Sequence, residues 1–209
     1  MKILYFASTP FYIKPNPSFH LMYAMISDLL ANGDEIFFTG KENPNLEKHI
    51  PEEFANNPMF HYRLTKVSSV GKNKFALRYL NGIKYPFKAA KFVKEYMPQC
   101  DVTYIQSGAT IPYYVLVAKH YAKRQKILIN IQDMFPGSSI ASGVMPQKWM
   151  QRIFYRIQKI AYRKADKIVG ISEDMRDKFL AQDVPYEKTE VILNWFDDKT
   201  VHHVDWDNN

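Results

Sequence analysis

The chain has 209 residues, enough for one large domain, and its 46% hydrophobic and 23% charged residues exclude a disordered or fibrous protein. Its 28 Lys and Arg against 21 Asp and Glu give a formal net charge of +7, which favours phosphate, anionic lipid or acidic substrates as partners. The single cysteine, Cys100, excludes an internal disulfide framework. No apolar run is long enough for a signal peptide or a membrane span, so we expect a cytoplasmic protein.

Strands and helices alternate along the chain. The predicted strands are residues 2–7, 35–39, 59–67, 102–106, 127–131, 167–171 and 190–193. The first predicted helix runs between an N-cap at Ser18 and a C-cap at Asn32–Gly33, and further helices are predicted at 73–96, 112–124, 147–164 and 173–182. Pro86 is expected to kink or split the helix at 73–96.

This alternation predicts a doubly wound α/β fold, with a mostly parallel sheet and helices on both of its faces. We expect this domain to occupy residues 1–195. Residues 196–209 show no periodicity, and we expect them to be a linker or a frayed end.

Polar residues follow several predicted strands directly, where an open parallel sheet binds its ligands. They are Gln106, Ser107, Gln132, Asp133, Ser172, Glu173 and Asn194. Asp133 lies between the strand 127–131 and Met-Phe-Pro, so we expect apolar neighbours to surround its carboxylate, a setting that favours functional use. A structural role in the turn is an equally good explanation of this aspartate. Taken alone, Ser18 and Ser172 are better explained as helix N-caps, and His20 as a surface histidine.

The sequence lacks the motifs of several enzyme classes. The first strand–helix loop has neither G-x-G-x-x-G nor G-x-x-x-x-G-K-[ST], which disfavours nicotinamide and P-loop enzymes. No local signature of a Ser-His-Asp or Cys-His nucleophile is present. The six histidines include no pair four residues apart on a helix, so we expect neither a metal site nor a bound cofactor.

Positive charge is concentrated in two predicted helices. Residues 72–96 and residues 148–167 each carry seven Lys or Arg and one acidic residue, with aromatic and aliphatic residues interleaved. Such a helix can lie on an anionic bilayer, and the residues expected to face the membrane are Lys84, Lys88, Lys91, Arg152 and Arg156. The alternative is that the apolar residues are ordinary core and the lysines are merely solvated.

Three segments carry a resemblance to a known family: QDMFP (132–136), KADKIVGISEDMRDKF (164–179) and KTEVILNWFDD (188–198). With the opening KILYFAS and the run LLANGDEIFFTG, they resemble the amino-terminal half of family 4 glycosyltransferases of the GT-B fold, in the branch that builds capsular and O-antigen polysaccharides. The resemblance implies two facing Rossmann-like domains with the active site in the cleft between them. The first binds the acceptor. The second, expected beyond residue 209, binds the nucleotide-sugar.

The resemblance also implies roles for individual residues. It implies a retaining, metal-independent transfer to a lipid-linked or saccharide acceptor at the inner face of the cell membrane, where the protein would be peripheral. Asp133 would bind or polarise the acceptor hydroxyl. Sugar hydroxyls would be held by Gln132, Ser107, Gln106 and His20, the donor diphosphate would face Ser18 and Phe19, and the cleft near the hinge would be lined by Ser172, Glu173 and Asn194.

The chain departs from the family at two places. Relatives usually have a glycine-rich first loop, where this chain has PNPSFH (15–20). Many relatives carry a histidine where Gln132 stands, and a glutamine can form hydrogen bonds there but cannot act as a base.

Two other functions stay open at this point. The chain could be a non-catalytic subunit that recruits a separate transferase to the membrane. Its charge alone would also fit a nucleic-acid-binding domain, but no recognised module or pattern of stacking aromatics supports that function, and we expect no nucleic-acid partner.

Overall fold

The computed structural model describes residues 1–8, 19–42, 50–67, 75–106 and 108–195. The strands are β1 (Lys2–Ala7), β2 (Glu35–Glu42), β3 (Phe60–Lys66), β4 (Val102–Gln106), β5 (Lys126–Asn130), β6 (Lys167–Gly170) and β7 (Thr189–Val191). The α-helices are α1 (Phe19–Ala31), α2 (Glu52–Ala55), α3 (Phe75–Tyr96), α4 (Ile111–Tyr121), α5 (Gly137–Ala141), α6 (Lys148–Lys164) and α7 (Glu173–Leu180). Short 3₁₀ helices span Met97–Gln99 and Tyr186–Lys188.

The strands form one sheet in the order β3-β2-β1-β4-β5-β6-β7, and every neighbouring pair is parallel. The predicted α/β fold with a parallel sheet is therefore confirmed. Because parallel strands all point the same way, the residues that follow β1, β4, β5, β6 and β7 meet along one edge, which we call the carboxyl edge.

The sheet has a hydrophobic core on each face, because side chains alternate along every strand. In β1, Leu4 and Phe6 belong to one core, and Tyr5 and Ala7 belong to the other. The first core is covered by buried residues of α3, α4, α6 and α7, and the second by residues of α1 and α2. This double cover explains why β1 is apolar from Ile3 to Ala7 instead of alternating with polar residues.

The helix α3 is not split at Pro86 and continues through it as one helix of 22 residues. Tyr85 and Ala89, on either side of the proline, are both buried in the same core. This shared packing holds the two halves together although Pro86 has no N–H to donate. The helices α2 and α5, of four and five residues, are additions to the predicted elements.

The opposite, amino edge is held by hydrogen bonds that join neighbouring strands. The Asp166 carboxylate, just before β6, accepts hydrogen bonds from the backbone N–H of Ile127 at 2.9 Å and from Lys119 Nζ at 3.1 Å. Burial acts to raise the pKa of Asp166, but these donors and the nearby Lys126 ammonium hold it below its usual range. The charged groups of this edge are thus paired with each other and serve the fold.

No helix in the described part of the chain is both long and apolar enough to cross a bilayer.

Candidate functional site

A hollow of about 100 Å³ opens where β4, β5, β6 and β7 reach the carboxyl edge, on the face of the sheet that carries α1. We call it the strand-end hollow. It is lined by Leu21, Met25, Tyr104, Gln106, Leu128, Asn130, Gln132, Val169, Ile192, Asn194 and Trp195. All of these side chains are uncharged, so the hollow suits neutral polar groups such as hydroxyls better than phosphate.

Strand pairing brings the amide side chains of this hollow together. Gln106 of β4 lies beside Asn130 of β5 in the sheet, and Tyr104 lies beside Leu128. Because side chains two residues apart point to the same face, Gln132 continues the row begun by Asn130.

Hydrogen bonds fix the orientation of these amides. Gln132 Nε2 donates to Asn130 Oδ1 at 2.9 Å, and Asn130 Nδ2 donates to the Tyr104 hydroxyl. On the neighbouring strands, the Tyr5 hydroxyl donates to Gln106 Oε1. The hollow therefore presents amides that are held in place before any ligand arrives.

The two tyrosines stay neutral. Burial raises the pKa of Tyr104 to about 12, although the hydrogen bond with Asn130 acts in the opposite direction. Burial also raises the pKa of Tyr5 well above its usual value, and the electrostatic interaction with the neighbouring Tyr104 hydroxyl acts in the same direction. Their rings lie 4.8 Å apart between centroids, which packs the floor of the site tightly.

The structure brings together three of the residues that the sequence singles out, since Gln106, Gln132 and Asn194 all line the strand-end hollow. His20, in the first turn of α1, lies beside them. Its Nε2 is 3.2 Å from the carbonyl oxygen of Trp195, and the imidazole donates to that oxygen when Nε2 carries the proton. His20 thereby ties α1 to the segment that follows β7.

Asp133 follows Gln132 at the carboxyl edge but does not line the hollow. Its side chain is exposed, so the expectation that apolar neighbours surround this carboxylate is wrong. The chain turns after Ile131, and the N–H of Phe135 donates to the Asp133 carbonyl at 3.0 Å. This turn buries Phe135 and leaves the carboxylate facing solvent beside the hollow.

The remaining candidate residues either do not line the strand-end hollow or lie outside the described residues. Ser172 is the N-cap of α7, where its Oγ accepts a hydrogen bond from the Met175 N–H at 3.3 Å, so its structural explanation is confirmed. Glu173 is exposed and pairs with Arg176 at 2.8 Å. Phe19 is the first residue of α1. Ser18 and Ser107 lie outside the described residues.

Three polar residues of the site are not among those that the sequence singles out: Tyr5, Tyr104 and Asn130. Asn130 does leave a signal, because it is the one amide inside the otherwise apolar run ILINI. A polar side chain in a buried strand needs a hydrogen-bond partner, and such a network is often functional.

A second hollow, of about 550 Å³, lies between α6 and α7, and we call it the α6–α7 hollow. It is lined by Met134, Phe135, Gly137, Ser138, Ala141, Tyr155, Lys178, Ala181 and Gln182. Nothing in the sequence patterns indicates it, since its lining comes from three separate segments. Within the described ranges, no group of three His, Cys, Asp or Glu side chains could hold a metal ion.

The basic residues expected to face a membrane are all exposed. Lys84, Lys88 and Lys91 lie on α3, and Arg152 and Arg156 lie on α6. On α6 they stand beside Trp149, which is 63% exposed, and Ile153, which is 45% exposed. The other side of α6 is buried through Gln158, Ala161 and Tyr162. One side of this helix therefore packs, and the other presents a surface that is both basic and apolar.

Comparison with known proteins identifies relatives of this fold. A sequence model of the family described as Glycosyltransferase Family 4 matches residues 22–200. No curated protein sequence matches the chain. Among solved structures, the chain is similar to HepE of Anabaena in complex with UDP and glucose, with 14% identity, a TM-score of 0.56, and coverage of 94% of this chain and 45% of HepE.

Two further solved structures are similar to the chain in fold, again over about half of their own length. The lipopolysaccharide outer core galactosyltransferase WaaB, in its apo form, is 16% identical with a TM-score of 0.58, and the match covers 96% of this chain and 48% of WaaB. Sucrose-phosphate synthase of Thermosynechococcus elongatus is 10% identical with a TM-score of 0.58, and the match covers 92% of this chain and 48% of the synthase. At these identities the likeness shows the fold, and the chain spans about half the length of each structure.

Proposed function

Because the chain belongs to glycosyltransferase family 4, we propose that it is the acceptor-binding domain of an enzyme that transfers a sugar from a nucleotide-sugar to an acceptor hydroxyl. The strand-end hollow carries this proposal. Its lining is uncharged, and the amides of Gln106, Gln132 and Asn194 belong to it. An amide both donates and accepts hydrogen bonds, as a sugar hydroxyl does, so a row of oriented amides suits a saccharide.

Asp133 is the residue proposed to act on the acceptor. Its exposed carboxylate follows Gln132 directly, so an acceptor sugar held by the amides would have the carboxylate close by. There Asp133 would accept a hydrogen bond from the attacking hydroxyl and orient it toward the donor. A carboxylate makes a stronger hydrogen bond than a neutral group does, which favours it for this task.

The proposed reaction retains the configuration of the transferred hexose or acetamido-sugar and needs no metal ion. Its transition state would resemble an oxocarbenium ion, so the protein would act by positioning the two substrates and by stabilising the departing diphosphate. The helix α1 begins at Phe19 and contributes Leu21 and Met25 to the hollow, which brings its positive amino-terminal end to the same edge. That end is proposed to face the diphosphate.

The donor is proposed to bind to a second domain, on the same chain or on a partner, that faces the carboxyl edge. The length relation supports this, because each solved structure compared above is about twice as long as this chain. A nucleotide-sugar is the proposed donor, and the UDP and glucose bound to HepE in its structure are consistent with that class.

The acceptor is proposed to be lipid-linked and presented at the inner face of the cell membrane, as in the synthesis of surface polysaccharides. The support is that Lys84, Lys88 and Lys91 of α3 and Arg152 and Arg156 of α6 are all exposed. Basic residues near an anionic bilayer contribute about 1 kcal/mol each, and exposed aromatic and aliphatic neighbours such as Trp149 can enter the interface.

Transfer of a radiolabelled sugar from a nucleotide-sugar to membrane-extracted acceptors tests this function. We expect transfer when this chain is present with a donor-binding domain, and we expect chelation of divalent metals by EDTA to leave the rate within about twofold. The 209 residues alone should show neither transfer nor micromolar affinity for a nucleotide-sugar. Tight binding of the nucleotide-sugar by these residues would contradict donor binding by a second domain. Complete loss of transfer in EDTA would contradict a transfer that needs no metal.

A further inference from the structure

The α6–α7 hollow differs from the strand-end hollow in size and in charge. Its volume of about 550 Å³ lies within the range of about 300–1,000 Å³ that is typical of ligand sites. Its floor and walls are mostly apolar or small, with Met134, Phe135, Ala141 and Ala181 among them. Its lining includes one charged side chain, that of Lys178.

The floor of this hollow is rigid and adjoins the proposed reaction site. Phe135 is buried, and its ring packs at 5.8 Å from Tyr79 and at 5.2 Å from Phe154 between centroids. Met134 and Phe135 line this hollow and directly follow Asp133 in the sequence. The hollow therefore adjoins the residue whose carboxylate is proposed to orient the acceptor hydroxyl.

The wall formed by α6 connects the hollow to the basic surface of the protein. Tyr155 lines the hollow, while Arg152, Ile153 and Arg156 in the adjoining turns of α6 are exposed. One helix therefore carries both the proposed membrane contact and one side of the hollow.

Lys178 gives the hollow its selectivity for charge. Its side chain is exposed at the rim and forms no ion pair within the described residues. The three acids on the same helix, Glu173, Asp174 and Asp177, are absent from the lining. An ammonium group above an apolar floor complements an amphiphile that has an anionic head and a hydrocarbon tail.

We propose that the α6–α7 hollow binds a lipid phosphate, with the first carbons of its hydrocarbon chain against Met134, Phe135 and Ala181 and its phosphate on Lys178. This assignment rests on the proposed function, since it identifies the lipid-phosphate end of the acceptor and gives it a site separate from the one for the sugar. The strand-end hollow would then take the uncharged sugar, and Asp133 would lie between the two.

Binding of decyl phosphate to the 209-residue chain, measured by isothermal titration calorimetry below the micelle concentration, tests the assignment. Ala181→Trp and Ala141→Trp each fill the hollow from an exposed position, and either is expected to weaken decyl phosphate binding at least tenfold. Ala55→Trp, on the exposed surface of α2 across the sheet, is the matched control and should bind as the unchanged chain does. Circular dichroism confirms that each variant is folded.

The head group is tested separately from the tail. Lys178→Glu should weaken decyl phosphate at least tenfold and leave decanol binding unchanged, whereas Lys123→Glu, exposed after α4, should change neither. Inorganic phosphate at millimolar concentration should not displace decyl phosphate, and its displacement would identify a free-phosphate site instead. Equal binding by Ala181→Trp, Ala141→Trp and Ala55→Trp would overturn the assignment. That result would leave sugar transfer untouched, whereas a protein that binds decyl phosphate but transfers no sugar would refute the proposed function alone.

Discussion

Reversing two charges on α6, with Arg152→Glu and Arg156→Glu together, is expected to lower the affinity of the chain for anionic vesicles at least a hundredfold. Each basic residue near such a surface contributes about 1 kcal/mol, and each reversal replaces that attraction by repulsion. Two reversals therefore change the binding free energy by about 3–4 kcal/mol, which corresponds to a factor of about 10²–10³ in affinity. Sedimentation with phosphatidylglycerol-containing vesicles measures the change.

The control for this effect makes the same change in net charge at another place. Lys123→Glu with Arg124→Glu reverses two exposed residues between α4 and β5, outside the two basic helices α3 and α6. We expect this control variant to retain most of the affinity of the unchanged chain for the vesicles. We also expect vesicle binding by the unchanged chain to weaken steeply as salt is added, because salt screens exposed charges. If both pairs weaken binding equally, net charge alone attracts the chain and no particular surface docks on the membrane.

Replacing Asp133 by alanine is expected to lower turnover tenfold or more in an active preparation that contains this chain and a donor-binding domain. A hydrogen bond to a charged group is worth about 1.5–3 kcal/mol, which corresponds to about 10- to 100-fold in rate when the bond is made in the transition state. Since the side chain is exposed, the unfolding temperature should stay the same. Single-turnover rates with excess acceptor measure the effect.

Asp177→Ala is the matched control for Asp133→Ala, because it removes an exposed aspartate from the middle of α7. It should leave turnover unchanged. The turnover of Asp133→Asn should lie between those of Asp133→Ala and Asp177→Ala, since an amide can still bind a hydroxyl but lacks the charge. Turnover of Asp133→Ala equal to that of Asp177→Ala would remove this carboxylate from the mechanism.

The fold could be predicted from the sequence because its strongest elements carry long, regular patterns. The buried run of β1 and the strands ahead of each helix specify a parallel sheet, and that topology alone places Gln106, Gln132 and Asn194 at one edge. The helices α2 and α5 are too short to show a helical period. The continuity of α3 through Pro86 depends on packing that no local pattern reveals.

The site could be predicted only where strand ends define it. Tyr5 and Tyr104 look like ordinary core residues in the sequence, and their place beneath the amides depends on the register between β1, β4 and β5. The exposure of Asp133 depends on the direction in which the chain turns after β5, which the apolar residues around it do not determine. The α6–α7 hollow needs three segments in their folded positions before it exists.

The acceptor KM of the double variant Gln132→Ala, Asn194→Ala, measured beside the KM for the nucleotide-sugar, tests most directly whether the strand-end hollow holds the acceptor. Both side chains line the hollow, and neither is fully buried. Loss of two hydrogen bonds that are made equally in the ground and transition states should raise the acceptor KM at least about tenfold and leave the nucleotide-sugar KM within about twofold. A raised nucleotide-sugar KM with an unchanged acceptor KM would contradict the account, because it would place the donor in this hollow.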